Sequence, residues 1–428
     1  MRFRRICSMR ASRFAGAAVL ALALAVLAVA AQVAGTSAAT TGQGNAVTDW
    51  SEIAQNAIVV GRTSGSSLVL EAIVEAAVYD SVIAIEGGSE PFVASPAVPR
   101  PASTAAAVAA AAHDVLVARV PSQGASVEAQ YTAYLATIPD GPGKANGITV
   151  GQEVAQAILT WRAGDGFDNE VPYVQPPPGP GVFEPVAPTT PVDVKLQQVR
   201  PFTYASNSEF RPDGPNPLTS AEYAEDFNEV KVYGRLDSSV RTPEQTAVVR
   251  FWTEAGATQT PRALRGLAID RGLGVAETAR MFALVHVAGA DAALACIDAK
   301  YHYLFWRPIH AIQRADTDDN PATEPDPTWR ALLTVNHPEY PSAHGCFTTA
   351  MTDALAAYFG SDKVAFAMSS TVTGTTRYYD RITDVAKEVY DARVWGGLHF
   401  RNSIMEGAWI GRKVARHVVT NFFQPTEG

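Results

Sequence analysis

The sequence predicts an all-α protein in which two helical bundles are joined by a long, extended, proline-rich arm. Three observations support this fold class: long apolar runs have the length of helices and carry helix-capping signals, no run alternates as a strand would, and prolines interrupt the middle of the chain. About 390 residues follow the N-terminal segment, which is more than one small core needs. We therefore expect two packed halves.

The N-terminal segment predicts export. Five arginines, the last of them Arg13, precede an apolar run from Ala15 to about Val33, and small residues follow as far as Ala39. This order is typical of a secretory signal peptide, so we expect residues 1–39 to be removed and the mature protein to be secreted. An uncleaved anchor is the alternative, but the run is rich in alanine rather than leucine or isoleucine. No stable membrane anchor is expected after cleavage.

Loss of this segment would make the protein strongly acidic. The mature chain would carry 29 Lys and Arg residues against 43 Asp and Glu residues, a formal charge of −14. An acidic protein of this kind is a poor candidate for binding nucleic acid or an anionic membrane. Cationic residues gathered in one pocket would be exceptional against this background.

Residues 40–172 predict the N-terminal helical half. Leu68–Ile85 is apolar with acidic residues on a minority face, and Ala105–Val120 and Gln152–Arg162 also have helical patterns. From residue 173 to residue 218 the helical pattern stops, and the sequence Pro-Pro-Pro-Gly-Pro-Gly begins a segment that proline keeps extended. Aromatic residues within this arm indicate that it lies across the surface of the protein.

Residues 219–428 predict the C-terminal helical half. Thr219–Glu222 and Thr242–Gln245 have the pattern of capping boxes, and proline follows the second cap at the first helical position. Three later helices are predicted, the last with a capping box at its first residue: Ala276–Trp306, Ser342–Phe359 and Ser403–Phe422.

Two cations end the first of these helices. Lys300 and Arg307 are two helical turns apart, so both project from one face. Pro308 ends the helix directly after Arg307. An ordinary solvated pair is the alternative, but four aromatic residues lie between the two cations, and such a sequence does not suit a solvent-facing surface. The pair is therefore a candidate for binding one anionic ligand.

A serine and a histidine begin the next helix. Unpaired main-chain N–H groups at a helix start favour an anion, and the hydroxyl of Ser342 adds a donor. His344 can act as a general acid or base near neutral pH. The alternative is a plain helix cap.

A third block contains Arg393 and His399. The pair Gly396-Gly397 between them permits a sharp change of direction, so both side chains can reach one centre. Three fixed cations, a hydroxyl and two imidazoles suit a tetrahedral oxyanion such as vanadate or phosphate.

The three blocks read Lys-x6-Arg-Pro, Pro-Ser-Ala-His and Arg-x5-His in this order. They resemble the superfamily of vanadium-dependent haloperoxidases and type 2 phosphatidic-acid-phosphatase-like acid phosphatases. Two positions depart from the family pattern: Ala343 stands where the family has glycine, and Ser403 stands where it has an acid that orients the last histidine. Asp298, Asp391 or Glu406 could replace that acid.

The resemblance implies a role for each residue. Lys300, Arg307, Ser342, the N–H of Ala343 and Arg393 would bind the oxygens of vanadate, or of phosphate in a phosphatase. His399 would be the vanadium ligand, or the phosphorylated nucleophile, and His344 the acid or base. Ser403 and His337 would lie outside these ligands and support them. A histidine five residues before the serine, as at position 337, is similar to the pattern of the bromoperoxidase branch.

The resemblance predicts an enzyme that oxidises halide with hydrogen peroxide at bound vanadate and passes the halogen to a small organic substrate. Bromide is favoured over chloride. The first alternative is a secreted acid phosphatase that acts on phosphate monoesters, and the second is a non-catalytic oxyanion-binding relative. The missing carboxylate weakens the phosphatase alternative more, because a nucleophile needs basicity more than a metal ligand does. The sequence leaves the oligomeric state open.

Two cysteines remain in the mature chain, each close to a motif. Cys296 lies four residues before Lys300, and Cys346 lies two residues after His344. If the motifs converge, the two thiols can form a disulfide. Two buried free thiols are the equally weighted alternative.

Overall fold

Helices make up most of the first part of the chain. The computed structural model describes residues 44–60, 64–186 and 189–426, so the predicted signal peptide lies outside the described residues. These residues are part of one compact unit that begins at Gly44. The first five α-helices are α1 (Ala46–Ile58), α2 (Ser64–Glu86), α3 (Thr104–Arg119), α4 (Gly124–Ala136) and α5 (Pro142–Trp161).

The second part of the chain is also helical, and the all-α fold class is confirmed. One antiparallel hairpin of two strands interrupts it. The elements in order are α6 (Ala221–Tyr233), α7 (Pro243–Phe251), α8 (Gly256–Arg271), α9 (Val275–Tyr303), α10 (Pro308–Gln313), α11 (Ala343–Tyr358), β1 (Phe366–Ser370), β2 (Thr375–Tyr379), α12 (Ile382–Trp395) and α13 (Arg401–Asn421).

Several helices begin where the sequence offers a capping residue. Thr242 caps α7 and forms the predicted capping box with Gln245, and Pro243 occupies the first helical position. Ser342 caps α11 by accepting from the main-chain N–H of Gly345 at 3.4 Å. Local sequence therefore accounts for the start of these two helices.

The hairpin is a difference from the sequence analysis, which found no strand. β1 alternates between buried and half-buried residues, whereas only Tyr379 of β2 is buried. Two five-residue strands, one of them mostly exposed, offer too few alternating apolar positions to give a period-two signal.

The largest core cluster contains residues of α1, α2 and α3 together with residues of α9, α11 and α13. Within the described part of the chain, α9 is long and apolar enough to cross a bilayer, but 94% of its most apolar window is buried inside the protein. It is the central helix of this core. The predicted division of the chain at residues 172 and 218 stays a prediction.

Residues of the proline-rich segment are bound to α9 and to the residue after it. The main-chain N–H of Phe183 donates to the carbonyl of Leu304 at 2.7 Å, and the N–H of Phe202 donates to Oδ1 of Asp291 at 2.6 Å. Both phenylalanine rings are buried. Their burial holds these parts of the segment against α9, the helix that contains Lys300.

Close packing fixes the helices that carry the second and third blocks. A Cβ atom on Gly407 of α13 would lie 2.4 Å from the carbonyl oxygen of Ser342, and one on Gly411 would lie 2.4 Å from that of Cys346. Only glycine lets α11 and α13 approach so closely. Cys296 and Cys346 form a disulfide that links α9 to α11, with Cα atoms 6.2 Å apart. Of the two alternatives left open by the sequence, the bonded pair is therefore correct and the two free thiols are not.

Candidate active site

The three sequence blocks lie at the ends of neighbouring helices. Lys300 is in the last turn of α9, Arg307 directly precedes α10, Ser342 caps α11, Arg393 is in the last turn of α12, and His399 lies just before α13. All five residues are buried. The structure therefore places residues from 300 to 399 within one region of the interior.

Lys300 holds the loop before α11. Its Nζ donates to the carbonyls of Pro338 at 2.9 Å and Glu339 at 3.0 Å, and also to the carbonyl of Pro341. An ammonium group has three donors, so these carbonyls use all of them. In this arrangement Lys300 contributes its charge to the site, and its hydrogen bonds set the shape of residues 338–341.

Arg307 connects the first block to the third. Its Nε donates to the carbonyl of His337 at 2.7 Å, and its Nη1 donates to the carbonyl of Leu398 at 2.8 Å and lies 3.4 Å from Nε2 of His399. Nη2 lies 2.8 Å from Nδ1 of His337. The guanidinium thus joins the His337 loop to His399, and His337 belongs to the surroundings of the site.

His399 is oriented by a carboxylate that the sequence analysis missed. Its Nδ1 lies 2.9 Å from Oε1 of Glu339, and that oxygen also accepts from the N–H of Phe400 at 3.0 Å. An ionised carboxylate only accepts, so Nδ1 carries the proton and Nε2 presents a lone pair to the site. A histidine held in this way has the tautomer required of a metal ligand.

Ser403 supports this carboxylate rather than the histidine. Its hydroxyl donates to Oε2 of Glu339 at 2.5 Å. Ser403 therefore supports His399 through Glu339. The predicted capping box at Ser403 is wrong, because α13 begins at Arg401 and its N-cap residue Phe400 makes no side-chain capping bond.

Two of the three acids weighed as replacements have other partners. Oδ2 of Asp298 accepts from Arg211 at 2.7 Å, and Oδ1 of Asp391 accepts from Arg401 at 2.7 Å. Glu339 stands three residues before Ser342, just ahead of the second block. The sequence did contain a signal for this carboxylate. Glu339 stands between a histidine-proline pair and a tyrosine-proline pair, and a carboxylate in such an apolar loop needs a buried partner.

The second block combines a helix start with a half-buried imidazole. α11 begins at Ala343, so its main-chain N–H belongs to the first turn, whose N–H groups have no acceptor within the helix. The ring of His344 lies 5.0 Å from that of Phe347, centroid to centroid. Burial, and then the charges of Arg393, Lys300 and Arg307, lower the pKa of His344 well below its usual value. The imidazole is neutral and lies within the field of all three cations.

Arg393 is the cation without a counterion. Its side chain is buried, its Nε has no hydrogen-bond partner, and no carboxylate among the described residues forms an ion pair with it. A buried guanidinium of this kind is costly unless an anion is bound. Burial, and then the charge of Arg307, lower the pKa of Arg393 to about 9.

The three cations outnumber the single carboxylate. Burial, then the charge of Arg307, lower the pKa of Lys300 well below its usual value, and burial lowers that of Arg307 to about 10. Burial together with the neighbouring cations also lowers the pKa of His399 well below its usual value. Burial raises the pKa of Glu339 to about 7, although bonds from Ser403 and the nearby cations act in the opposite direction. The excess positive charge suits an anion.

The residues present fit an oxyanion. Arg393 offers an unpaired guanidinium, Ala343 offers a helix-start N–H, and His399 offers an Nε2 lone pair. Within the described part of the chain, no group of three or more His, Cys, Asp or Glu residues could hold a metal cation. The geometry thus fits vanadate or phosphate and does not resemble a chelate for a divalent cation.

Comparison with known proteins gives a family match for the C-terminal part of the chain. Residues 280–428 match the family model described as the second helical-bundle domain of VCPO. The chain is 27% identical over 237 residues to vanadium chloroperoxidase from Curvularia inaequalis, a match that covers 45% of this chain and 37% of that protein. The match therefore spans little more than a third of the length of this curated relative.

Solved structures of similar fold cover most of the chain. A bacterial vanadium-dependent iodoperoxidase superposes with a TM-score of 0.74 at 21% identity and covers 89% of this chain and 97% of its own. The holo form of a bacterial vanadium-dependent chloroperoxidase gives a TM-score of 0.67 at 15% identity and covers 91% of this chain and 94% of its own. The predicted resemblance is confirmed: the fold is that of the vanadium-dependent haloperoxidases, and the C-terminal sequence matches their second helical-bundle domain.

Proposed function

We propose that this protein is a vanadium-dependent haloperoxidase that oxidises halide with hydrogen peroxide. The observation that carries the proposal is His399, a buried imidazole whose Nδ1 is fixed by Glu339 at 2.9 Å and whose Nε2 lies 3.4 Å from Nη1 of Arg307. The charges of Arg307, Lys300 and Arg393 help to lower the pKa of His399, so the ring is neutral. A neutral imidazole nitrogen in a cationic pocket would suit a ligand of an oxyanion metal centre.

Arg393 and the N–H of Ala343 would hold the oxygens of vanadate, and Ser342 would add a hydroxyl. Lys300 and Arg307, whose donors are taken by protein groups, would add their charge. When bound, vanadate supplies a Lewis acid that activates hydrogen peroxide towards halide. The neutral ring of His344 can take a proton from hydrogen peroxide as it arrives and return one to the departing water. In the overall reaction, halide, hydrogen peroxide and one proton give hypohalous acid and water.

Bromide is the proposed halide, with chloride as the weaker substrate. The basis is His337, whose imidazole lies 2.8 Å from Nη2 of Arg307. An imidazole at this position makes the surroundings of the site polar, whereas an apolar aromatic residue would exclude water from them. Bromide is the more easily oxidised of the two halides and needs less of this exclusion.

The deciding experiment uses purified protein loaded with orthovanadate. Bromide-dependent consumption of hydrogen peroxide should require vanadate, should be inhibited by phosphate that competes for the same cations, and should be absent in His399→Ala. The same preparation without vanadate is tested on a phosphate monoester. Ester hydrolysis without any bromide oxidation would overturn the haloperoxidase proposal.

A specific observation keeps the phosphatase as a second candidate. The sequence argued against it because the histidine lacked an orienting carboxylate, and Glu339 supplies one. In that reaction His399 would attack phosphorus and His344 would protonate the leaving alkoxide. Vanadate binding without either activity would instead support the non-catalytic relative.

We also propose that the protein is exported, on the basis of residues 1–39 alone. Intact mass of the protein recovered outside the cell checks this. A mass close to that of a chain beginning at residue 39 or 40 is expected, and retention of the apolar run would identify an anchor.

A further inference from the structure

Helix α4 lies on the surface of the protein and is held there by few contacts. Of its thirteen residues, Val127 alone is buried. Its other apolar anchors are Tyr131 and Tyr134, whose rings meet the buried ring of Trp50 on α1 edge-on, with centroids 6.1 and 5.8 Å apart. A helix that buries so little apolar surface opens more readily than the core beneath it. One polar contact can therefore decide whether α4 stays docked.

The imidazole of His113, a buried residue of α3, lies between two carboxylates. Its Nδ1 is 2.7 Å from Oδ1 of Asp114, the next residue of α3, and its Nε2 is 2.9 Å from Oε2 of Glu128 on α4. The ring also stacks on that of Tyr131 of α4, with centroids 4.2 Å apart and an angle of 21° between the planes. His113 thus joins α3 to the surface helix.

Both ring nitrogens of His113 carry a proton in this arrangement. An ionised carboxylate only accepts hydrogen bonds, so each nitrogen must donate, and only the imidazolium form has two donors. Burial acts to lower the pKa of His113, but the bonds to Asp114 and Glu128, and then their charges, outweigh burial and raise this pKa above its usual value of 6.5. The docked position of α4 therefore favours the charged ring.

Two carboxylates are the charges that act on this ring. Among the described residues, Asp114 and Glu128 are those whose charges shift the pKa of His113. Helices α1, α2 and α5 also pack against α3. Their ionisable side chains act on other groups: Glu52 on Asp49, Glu75 on Glu71, and Lys144 on Asp140. The state of the contact between α3 and α4 therefore depends on one imidazole and two carboxylates.

We propose that His113 is a pH-sensitive switch: its imidazolium holds α4 against α3 in acidic and neutral solution, and loss of its proton in alkaline solution releases α4 and uncovers Trp50. The neutral ring keeps one N–H, so its other nitrogen then presents a lone pair to a carboxylate oxygen, and that bond is lost. Because folding raises the pKa of His113, the stabilisation is complete below the unfolded pKa of about 6.5 and is lost as the pH rises through the folded pKa. The switch is independent of the haloperoxidase function proposed above.

Hydrogen exchange of the purified protein at pH 6 and pH 9 tests the switch. Protection factors remove the pH dependence of the chemical exchange step, and the amides of α3 and α5 serve as the internal reference for global stability. In the wild type, the protection of α4 relative to this reference should fall by about tenfold from pH 6 to pH 9. This is the lower end for a lost bond to a charged group, because the side chain of Glu128 is 62% exposed.

Two glutamine variants form a matched pair. Glu128→Gln replaces the carboxylate at Nε2 by an amide that can bond to either form of the ring, so the relative protection of α4 should be the same at both pH values. Glu153→Gln, at an exposed position on α5, should keep the fall seen in the wild type. His113→Gln should abolish the fall. If this buried substitution prevents folding, Glu128→Gln remains informative because its side chain is exposed.

Either of two results would overturn the switch. The first is a relative protection of α4 that is equal at pH 6 and pH 9 in the wild type. The second is a fall in Glu128→Gln as large as that of the wild type. That result would assign the fall to another group, such as Asp49, which bonds to Tyr134 of α4 and is unchanged in this variant.

Discussion

Nδ1 of His399 lies 2.9 Å from Oε1 of Glu339, a residue 60 positions earlier in the chain. The other oxygen of that carboxylate accepts from Ser403 at 2.5 Å. The three residues form a buried chain of hydrogen bonds from hydroxyl to carboxylate to imidazole. The acid that the family pattern places four residues after the histidine is thus supplied from the loop before the serine block.

The first prediction concerns the carboxylate itself. Glu339→Gln keeps an acceptor but removes the charge that holds the Nδ1 proton, and its amide can turn a donor towards His399. Loss of an outer partner of a metal ligand typically costs about 10–100-fold in affinity. The Kd for vanadate should rise by that factor in Glu339→Gln and by less in Ser403→Ala, because the N–H of Phe400 still holds the carboxylate. Equal affinity in Glu339→Gln and wild type would contradict this role.

Ser403→Asp should not improve the site. On the family pattern alone, an acid restored at position 403 would be expected to raise phosphate-ester turnover if the protein were a phosphatase. The structure reverses that expectation: the new carboxylate would lie beside Glu339 and would replace the hydroxyl that donates to it. An unsatisfied buried acceptor costs about 1–3 kcal/mol, so unfolding at alkaline pH should need less denaturant. Ester turnover should stay at or below that of the wild type.

Arg393 and Lys300 should differ in what they stabilise. Arg393→Ala removes a cation without a counterion, so vanadate affinity should fall by about 1.5–3 kcal/mol, or roughly 10- to 150-fold in Kd. The melting temperature of the vanadate-free protein should be unchanged or higher. Lys300→Ala should also weaken vanadate binding, and in addition it leaves the carbonyls of residues 338, 339 and 341 without their donor.

Calorimetric melts without vanadate separate the two variants. We expect Lys300→Ala to lose at least about 1–3 kcal/mol of unfolding free energy, the usual penalty for unpaired buried groups. Unchanged vanadate affinity in both variants would remove the three-block site from consideration.

A buried glutamate in the core predicts how stability depends on pH. Burial raises the pKa of Glu75 to about 8 from a usual value of 4.5, against a bond from Ser51 and the charge of Arg265. The folded state therefore holds this proton more tightly than the unfolded chain does. Its stabilisation is complete below the unfolded pKa and is lost as the pH rises through the folded pKa.

Glu75→Gln stays neutral at every pH, so the fall in unfolding free energy between about pH 5 and pH 8 should be shallower, by up to about 1.4 kcal/mol per pH unit. Denaturant titrations across this range measure the slope. Glu153→Gln on the exposed face of α5 is the control and should leave the slope unchanged. If the unfolding free energy of Glu75→Gln falls with pH as steeply as that of the wild type, the carboxyl of Glu75 does not titrate as described.

The disulfide between α9 and α11 should contribute to stability. It closes a loop across a sequence separation of 50, and both cysteines are buried. The double variant Cys296→Ala/Cys346→Ala should lose about 2–5 kcal/mol of unfolding free energy, the typical cost of removing a native disulfide. Guanidinium titration measures it, and reduced wild-type protein should behave like the variant. Identical midpoints for reduced and oxidised wild type would contradict the contribution.

Sequence alone determined the features that depend on local order and spacing. The length of the apolar runs and the capping residues around Thr242 and Ser342 identified the helices, because both effects act within a few residues. The order of Lys300 and Arg307, and the pair Ser342–His344 at a helix start, predicted a cationic site for an oxyanion. The expected common helix face for the two cations is wrong, because α9 ends at Tyr303 and Arg307 lies outside it. These inferences needed no knowledge of how distant parts of the chain meet.

The tertiary structure decided which side chains meet. Whether Lys300 donates to an oxyanion or to the carbonyls before α11, and whether His399 is oriented by Ser403 or by Glu339, depends on the packing of α9, α11 and α13. Spacing within one helix carries no information about a partner 60 residues away.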